Sequence, residues 1–186
     1  MYRFLNWIQQ MDETVLRWIT ENLRTPMLNK IIVFYTKLGN AGWIFILIAL
    51  ILLWKKATRR AGASALTSMT LGLVATNLIL KPLVARPRPW VVMENFSSLV
   101  DSADVHSFPS GHTCAAFAFA VSICAVLPGK IITATALIAA AVMGFSRLYV
   151  GAHFLSDVLV GAAVGAVCGF AGARIISVIK NRLSRE

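Results

Sequence analysis

The sequence predicts an all-α protein: a polytopic transmembrane helix bundle of five to six spans, preceded by an N-terminal amphipathic helix in the membrane interface. Three observations predict it. Of the 186 residues, 58% are hydrophobic and only 14% charged, against about 45–50% and about 25% in soluble domains. Five apolar segments approach the roughly 20 residues that cross the hydrocarbon core of a bilayer. Before them, apolar residues recur at helical spacing instead of running continuously.

Taken in order, Phe4, Ile8, Met11, Val15 and Ile19 share one face, with Arg3, Gln10, Asp12, Glu13 and Arg17 elsewhere on the wheel. That pattern suits a helix lying in the interface better than one crossing it. Thr25-Pro26 starts a second short helix through Leu38, stopped by Gly39-Asn40. Residues 1–38 therefore read as amphipathic interfacial helices and 39–180 as the transmembrane domain. The expected spans are 39–54, 61–80, 111–127, 131–146 and 154–173. The first, third and fourth are short and need snorkelling ends or flanking lysines. The connections 127–131 and 147–153 are tight, so the last three spans are antiparallel neighbours. Residues 89–108 form one long polar connection holding three of the eight acids, and loops of that length are usually functional or disordered. The first residues lack an apolar h-region, so no cleavable signal peptide is expected.

The net charge of +10 favours anionic partners. Basic residues are not interleaved with aromatics on a polar surface, so nucleic acid is not an expected partner, whereas the bilayer and an anionic lipid are. Cys114, Cys124 and Cys168 all sit in apolar runs without a Cys-x-x-Cys pair; they read as small hydrophobes. Lys55, Lys56, Arg59, Arg60, Lys130 and the tail with Arg174, Lys180, Arg182 and Arg185 fall on one side of the membrane. The positive-inside rule makes that side cytoplasmic, which leaves the opposite face extracytoplasmic.

On that opposite face the topology gathers three polar clusters. "KPLVARPRP" closes the second span with Lys81, Arg86 and Arg88; "SFPSGHT" opens the third with Ser110, Gly111 and His112; "SRLYVGAHFLSD" joins the last two with Arg147, His153 and Asp157. Lys81, Arg88 and Arg147 converging at a bundle mouth suit a phosphate dianion, although any one of them alone reads better as a snorkelling helix end. Ser110 suits an N-cap, and free amides at a helix start bind anions; an ordinary cap is the alternative. His153 and Asp157, four apart, share a helix face. A carboxylate hydrogen-bonded to one imidazole nitrogen leaves the other as nucleophile or base, and ionisable residues inside a membrane are functional by default. The set points to phosphoryl transfer through a covalent histidine, with His112 able to protonate the leaving oxygen.

These clusters resemble the signature of the type 2 phosphatidic acid phosphatase family, membrane lipid phosphatases related to vanadium haloperoxidases. Its Lys-x6-Arg-Pro motif is matched by Lys81, Arg88 and Pro89, its Pro-Ser-Gly-His motif by Pro109 to His112, and its Ser-Arg-x5-His-x3-Asp motif by Ser146, Arg147, His153 and Asp157. The resemblance implies that His153 is the nucleophile, Asp157 its orienting partner and His112 the general acid. It also implies that Lys81, Arg88, Ser110, Gly111 and Arg147 hold the phosphate, with no metal and no cofactor. Many members have six spans. Arg86 has no role in the family pattern and offers a competing Lys-Arg-Pro register. The expected substrate is a lipid phosphate: a polyprenyl diphosphate such as the undecaprenyl carrier, or alternatively phosphatidylglycerophosphate or phosphatidic acid. A metal-dependent hydrolase using His112, His153 and Asp157 is disfavoured because three nearby cations repel a divalent ion. A small transporter would be expected to show internal repeats and broken helices near the midplane, whereas this sequence shows no repeat and its polar residues cluster at one face; a lipid-binding scaffold would not need a His-Asp pair. Gly161, Gly165 and Gly169 form a small-x3-small run that suits packing inside the bundle or a dimer face, so the oligomeric state stays open.

Overall fold

The computed structural model describes residues 2–101 and 104–184, with all their side chains except those of Tyr2 and Phe4. Phe4 on the expected amphipathic face, and Arg185 in the basic tail, thus lie outside the described side chains. Helices follow one another along the chain: α1 (Tyr2–Leu23), α2 (Pro26–Leu38), α3 (Trp43–Trp54), α4 (Arg59–Leu73), α5 (Lys81–Val84), α6 (Pro89–Val92), α7 (Gly111–Val126), α8 (Lys130–Tyr149) and α9 (Leu155–Leu183). Among the described residues the only β-type pairing is an isolated bridge between Pro87 and His106. Three helical stretches are long and apolar enough to cross a membrane: Arg59–Val84, Lys130–Tyr149 and Leu155–Leu183. A fourth arises if α2 and the stretch Asn40–Trp54, bent by 50° at their junction, count as one broken span, and α7 is a shorter apolar helix. This is a membrane protein with three to four spans by that measure. The outward faces of α3, α8 and α9 carry Leu50, Ile51, Ile138, Leu159 and Phe170, all exposed, as lipid-facing surfaces require.

The α4–α5 stretch is continuous only because a π-helical segment, Val74–Leu80, joins the two. Such wide turns are rare and often sit at functional sites. Here the segment leads directly to Lys81. The turn that precedes α2 is set locally: the Thr25 side chain accepts from the Leu28 amide and Pro26 opens the helix, as the sequence indicates.

The centre of the bundle is α7, apolar around its circumference, packed against α4, α8 and α9. A helix that is apolar all round belongs inside. It is lined by small residues, with Cys114, Ala116, Ala118 and Ala120 all buried. The glycine run of α9 faces this helix. A Cβ at Gly161 would sit 2.6 Å from the Ser110 carbonyl oxygen, and one at Gly165 2.4 Å from that of Cys114. The run therefore closes α9 onto α7 inside one chain, where the sequence left a dimer face open.

In α1 the buried side differs from expectation. Asp12, placed on the polar side of the wheel, is 3% exposed, and Leu16 is fully buried, whereas Met11 is 46% exposed. The apolar arc is about half the circumference wide. One flank, with Leu16 and Ile19, docks on Met93 and Phe154 and on Leu148–Val150. The other flank, with Trp7, Met11 and Trp18, stays exposed. Docking on one flank turns Asp12 inward.

Gly165→Ala is expected to destabilise by about 1–3 kcal/mol, the usual cost of overpacking, because its methyl meets backbone. Gly129→Ala, whose Cβ would have only ordinary contacts at 3.6 Å or more, should be nearly neutral. Thermal unfolding of both variants in detergent checks this.

Candidate active site

Lys81 and Arg88 are carried by a chain that cannot continue as helix. Ala85 takes the left-handed conformation (φ 48°) and closes α5, and Pro89, which opens α6, favours the extended backbone seen at Arg88 before it. Residues 86–88 run beside His106 and Ser107. The Ser107 amide donates to the Arg86 carbonyl at 2.8 Å, and its hydroxyl to the Pro87 carbonyl at 3.1 Å. Arg88 is thereby folded inward to 3% exposure. Its Nε donates to the Asp104 carbonyl at 2.8 Å and its Nη1 to the Ala152 carbonyl at 2.9 Å. Lys81 pairs with the Asp104 carboxylate.

Ser110 is the N-cap of α7, accepting from the Thr113 amide, and its own amide donates to the Asp157 carbonyl at 3.0 Å. That bond joins the second cluster to the third. Gly111 lies where a Cβ would come within 3.3 Å of Asn77, so backbone lines the site there. The His112 Nε2 is 3.0 Å from the Asn40 Oδ1 in the turn after α2.

Arg147, near the end of α8, is 5% exposed. Its Nη1 donates to Thr36 Oγ1 of α2 at 2.7 Å, while its buried Nε has no protein partner among the described residues. The Ser146 hydroxyl reaches the same threonine at 3.1 Å. Gly151, with φ 77°, then reverses the chain and delivers His153 at 2% exposure.

The sequence expects Asp157 to hydrogen-bond His153. In the structure the His153 Nδ1 lies 2.7 Å from the Ser107 carbonyl oxygen, and Asp157 Oδ2 is 3.7 Å away. A carbonyl only accepts, so Nδ1 carries the proton and Nε2 holds a lone pair, 3.4 Å from Arg88 Nη1. The carboxylate of Asp157 is engaged elsewhere: Oδ2 accepts from the Phe154 amide at 2.9 Å and Oδ1 from Arg86 Nη1 at 2.7 Å. Burial holds the His153 ring well below its ordinary pKa, outweighing the pull of Asp157, and Arg147 and Arg88 add to the lowering. At neutral pH the ring is uncharged.

Of the residues singled out from sequence, Lys81, Arg88, Gly111, His112, Arg147 and His153 line one cavity of about 370 Å³. Ser110 and Asp157 sit behind this wall, fully buried. The cavity continues into an apolar limb of Ile46, Leu66, Met69 and Leu73. His112 and Arg147 also border a second, polar cavity of about 290 Å³ with Thr36, Lys37 and Asn40. Arg86 is absent from both linings: it turns behind Asp157 to Asp12, whereas Arg88 lines the first cavity. Asp12, Thr36, Asn40 and the Ser107 carbonyl were not found from sequence. Asp12 looked like one more polar residue of an amphipathic wheel, and a main-chain carbonyl leaves no side-chain signal.

The model of the PAP2 superfamily matches residues 61–180. The chain is 32% identical to undecaprenyl-diphosphatase BcrC of Bacillus subtilis over 144 residues, which cover 77% of this chain and 72% of that protein. It is 30% identical to phosphatidylglycerophosphatase B of the same organism over 175 residues, covering 89% and 83%. The crystal structure of Aquifex aeolicus LpxE superimposes with a TM-score of 0.77 at 28% identity, over 88% of this chain and 95% of that one.

Thr36→Val keeps the volume but leaves the buried Arg147 Nη1 without its acceptor. Unpaired buried donors cost about 1–3 kcal/mol. A corresponding drop in stability is expected in thermal unfolding, and Thr36→Ser should restore most of it.

Proposed function

The chain belongs to the PAP2 superfamily and is a membrane lipid phosphatase; from that premise we propose that it dephosphorylates a polyprenyl diphosphate, most simply the undecaprenyl carrier, through a phosphohistidine on His153. The observation that carries this reading is the His153 ring: its Nδ1 proton is committed to Ser107 O at 2.7 Å, its Nε2 is 3.4 Å from Arg88 Nη1, and the residue lines one cavity with Lys81, Arg88 and Arg147.

In the first half-reaction the Nε2 lone pair attacks the terminal phosphorus, and the bond from phosphorus to the leaving oxygen breaks. For a diphosphate the leaving group is the lipid monophosphate. His112 gives its proton to that oxygen. In the second half, water attacks phosphorus, His112 takes a proton from it, and the P–N bond breaks to return the lone pair to Nε2. Lys81, Arg88, Arg147 and the Ser110–Gly111 amide end of α7 hold the phosphate oxygens. The unpartnered Arg147 Nε is a donor available to one of them. Cations on the protein thus supply the charge neutralisation that phosphoryl transfer needs. The lipid tail occupies the apolar limb between α3 and α4, and the polar cavity beyond His112 admits water and releases phosphate.

In this reading residues 39–180 form the phosphatase bundle, with five spans: residues 39–54 with α3, α4–α5, α7, α8 and α9. The exposed Trp7, Met11 and Trp18 of α1 lie in the interface, at the site end of the bundle. The site faces the extracytoplasmic side and the C-terminus the cytoplasm. The orientation is supported by the kinds of cation at each end. Arg24, Arg86, Arg88 and Arg147 at the site end are hydrogen-bonded within the protein, whereas Lys55, Lys56 and Arg60 at the other end are exposed and free to set topology. Phosphatidylglycerophosphate is the second reading, favoured by the longer stretch shared with phosphatidylglycerophosphatase B.

Turnover of polyprenyl diphosphate, phosphatidylglycerophosphate, phosphatidic acid and an aryl phosphate by purified protein in detergent with excess chelator tests this. The polyprenyl diphosphate should turn over fastest, without added metal. His153→Ala should abolish turnover of every substrate. His112→Ala should lose roughly 10²–10⁴-fold on the lipid and recover partly on the aryl phosphate, whose good leaving group needs the proton less. Rescue of His153→Ala by the aryl substrate would overturn the assignment.

A further inference from the structure

Behind His153 lies a charged cluster of which only Asp157 belongs to the phosphatase motifs. The Arg86 guanidinium bridges two buried carboxylates: Nη1 donates to Asp157 Oδ1 and Nη2 to Asp12 Oδ2, each at 2.7 Å. Nη1 also reaches Ser156 Oγ at 2.7 Å and Nη2 reaches Gln9 Oε1 at 2.6 Å, and the plane stacks 4.1 Å from the centre of the Phe154 ring. Asp12 completes the cluster by accepting the Ser156 amide at 2.9 Å, in the first turn of α9, where a carboxylate is favoured by the helix dipole. Asp12 belongs to α1, ahead of the segment that matches the PAP2 superfamily.

The arrangement decides how Asp157 acts on His153. One carboxylate oxygen is drawn to Arg86 and the other to the Phe154 amide, so the imidazole keeps a neutral carbonyl as its Nδ1 partner and sees Asp157 only through 3.7 Å of space. A histidine so held is a weaker base than one bonded directly to a carboxylate. Phosphotransfer through histidine needs that balance, because the imidazole that attacks in the first half must leave in the second. Only a planar fork can hold both carboxylates at once.

We propose that Arg86 and Asp12 are positioning residues of the phosphatase site, through which α1 sets the basicity of the His153 ring. The proposal rests on the reading of His153 as nucleophile only for its consequence in catalysis. The groups facing His153 are Arg88 from the loop after α5, Arg147 from α8, His112 from α7 and Asp157 from α9; Arg86 acts through Asp157, and Asp12 through Arg86. Removing the Arg86 charge frees Asp157 to stabilise imidazolium. Removing the Asp12 charge commits Arg86 wholly to Asp157. The two changes therefore move His153 in opposite directions, which loss of a merely structural contact would not do.

The test is a pH titration of histidine ring ¹³C signals in detergent-solubilised protein without substrate, with His153 assigned by the signal lost in His153→Gln. Arg86→Gln should raise the His153 midpoint by about one unit, and Asp12→Asn should lower it by about half a unit. The double variant should lie between them. Should Arg86→Gln fail to fold, Asp12→Asn decides: a lowered midpoint supports the proposal, and an unchanged or raised one overturns it. Shifts in the same direction for both single variants would also overturn it. Turnover measured alongside separates the two readings. Opposite shifts together with an active His153→Ala would leave the network standing and remove His153 as nucleophile.

Discussion

The contact between α7 and α9 is the constraint on which the rest of the site depends. Two helices approach closely enough for the Ser110 amide to bond the Asp157 carbonyl only because Gly161 and Gly165 present no Cβ to the opposing backbone. In a bilayer, helix association has little hydrophobic drive and relies on such packing and on interhelical hydrogen bonds. That one seam brings the amide end of α7 beside the start of α9. The cations from α5, the following loop and α8 are then arranged around a pair already fixed.

Gathering cations in a low-dielectric bundle is costly unless each has acceptors. The structure meets this with main-chain carbonyls and hydroxyls for the most part. Arg88 is held by the carbonyls of Asp104 and Ala152, and Arg147 by Thr36. Neutral acceptors satisfy donors without cancelling charge, so positive potential survives at the cavity. Carboxylates appear at the edge, as Asp104 on Lys81 and, at 3.8 Å, on Arg88, and behind His153, as Asp157 and Asp12 on Arg86. The two cavities that meet at His112 and Arg147 separate an apolar side from a polar one.

Much of this was legible in the sequence. The helical class, the start of α2 at Thr25-Pro26 and the common end shared by three polar clusters follow from hydropathy, capping residues and topology. Lys81, Arg88, Gly111, His112, Arg147 and His153 line a single cavity, as their motif spacing implied. What escaped depends on tertiary placement. Asp12 reads as solvent-facing because a helix wheel does not say which flank of a wide apolar arc will dock. Arg86 reads as a spare cation because its partners are 71 and 74 residues away. The direct Asp157–His153 bond expected from their spacing gives way to Ser107 because Asp157, in the first turn of α9, is already taken by the Phe154 amide and Arg86. The N-terminal segment is helical as α1, with its buried face turned toward Asp12 and Leu16.

The central claim is that the phosphoryl group passes through Nε2 of His153. The most direct measurement is rapid quench into base, where phosphohistidine survives, of the protein mixed with a lipid diphosphate labelled in its terminal phosphate, followed by peptide mass spectrometry. The account predicts transient label on the peptide containing His153, attached at Nε2, in wild type and absent in His153→Ala. Steady turnover with no trapped label, or label on His112, would contradict it.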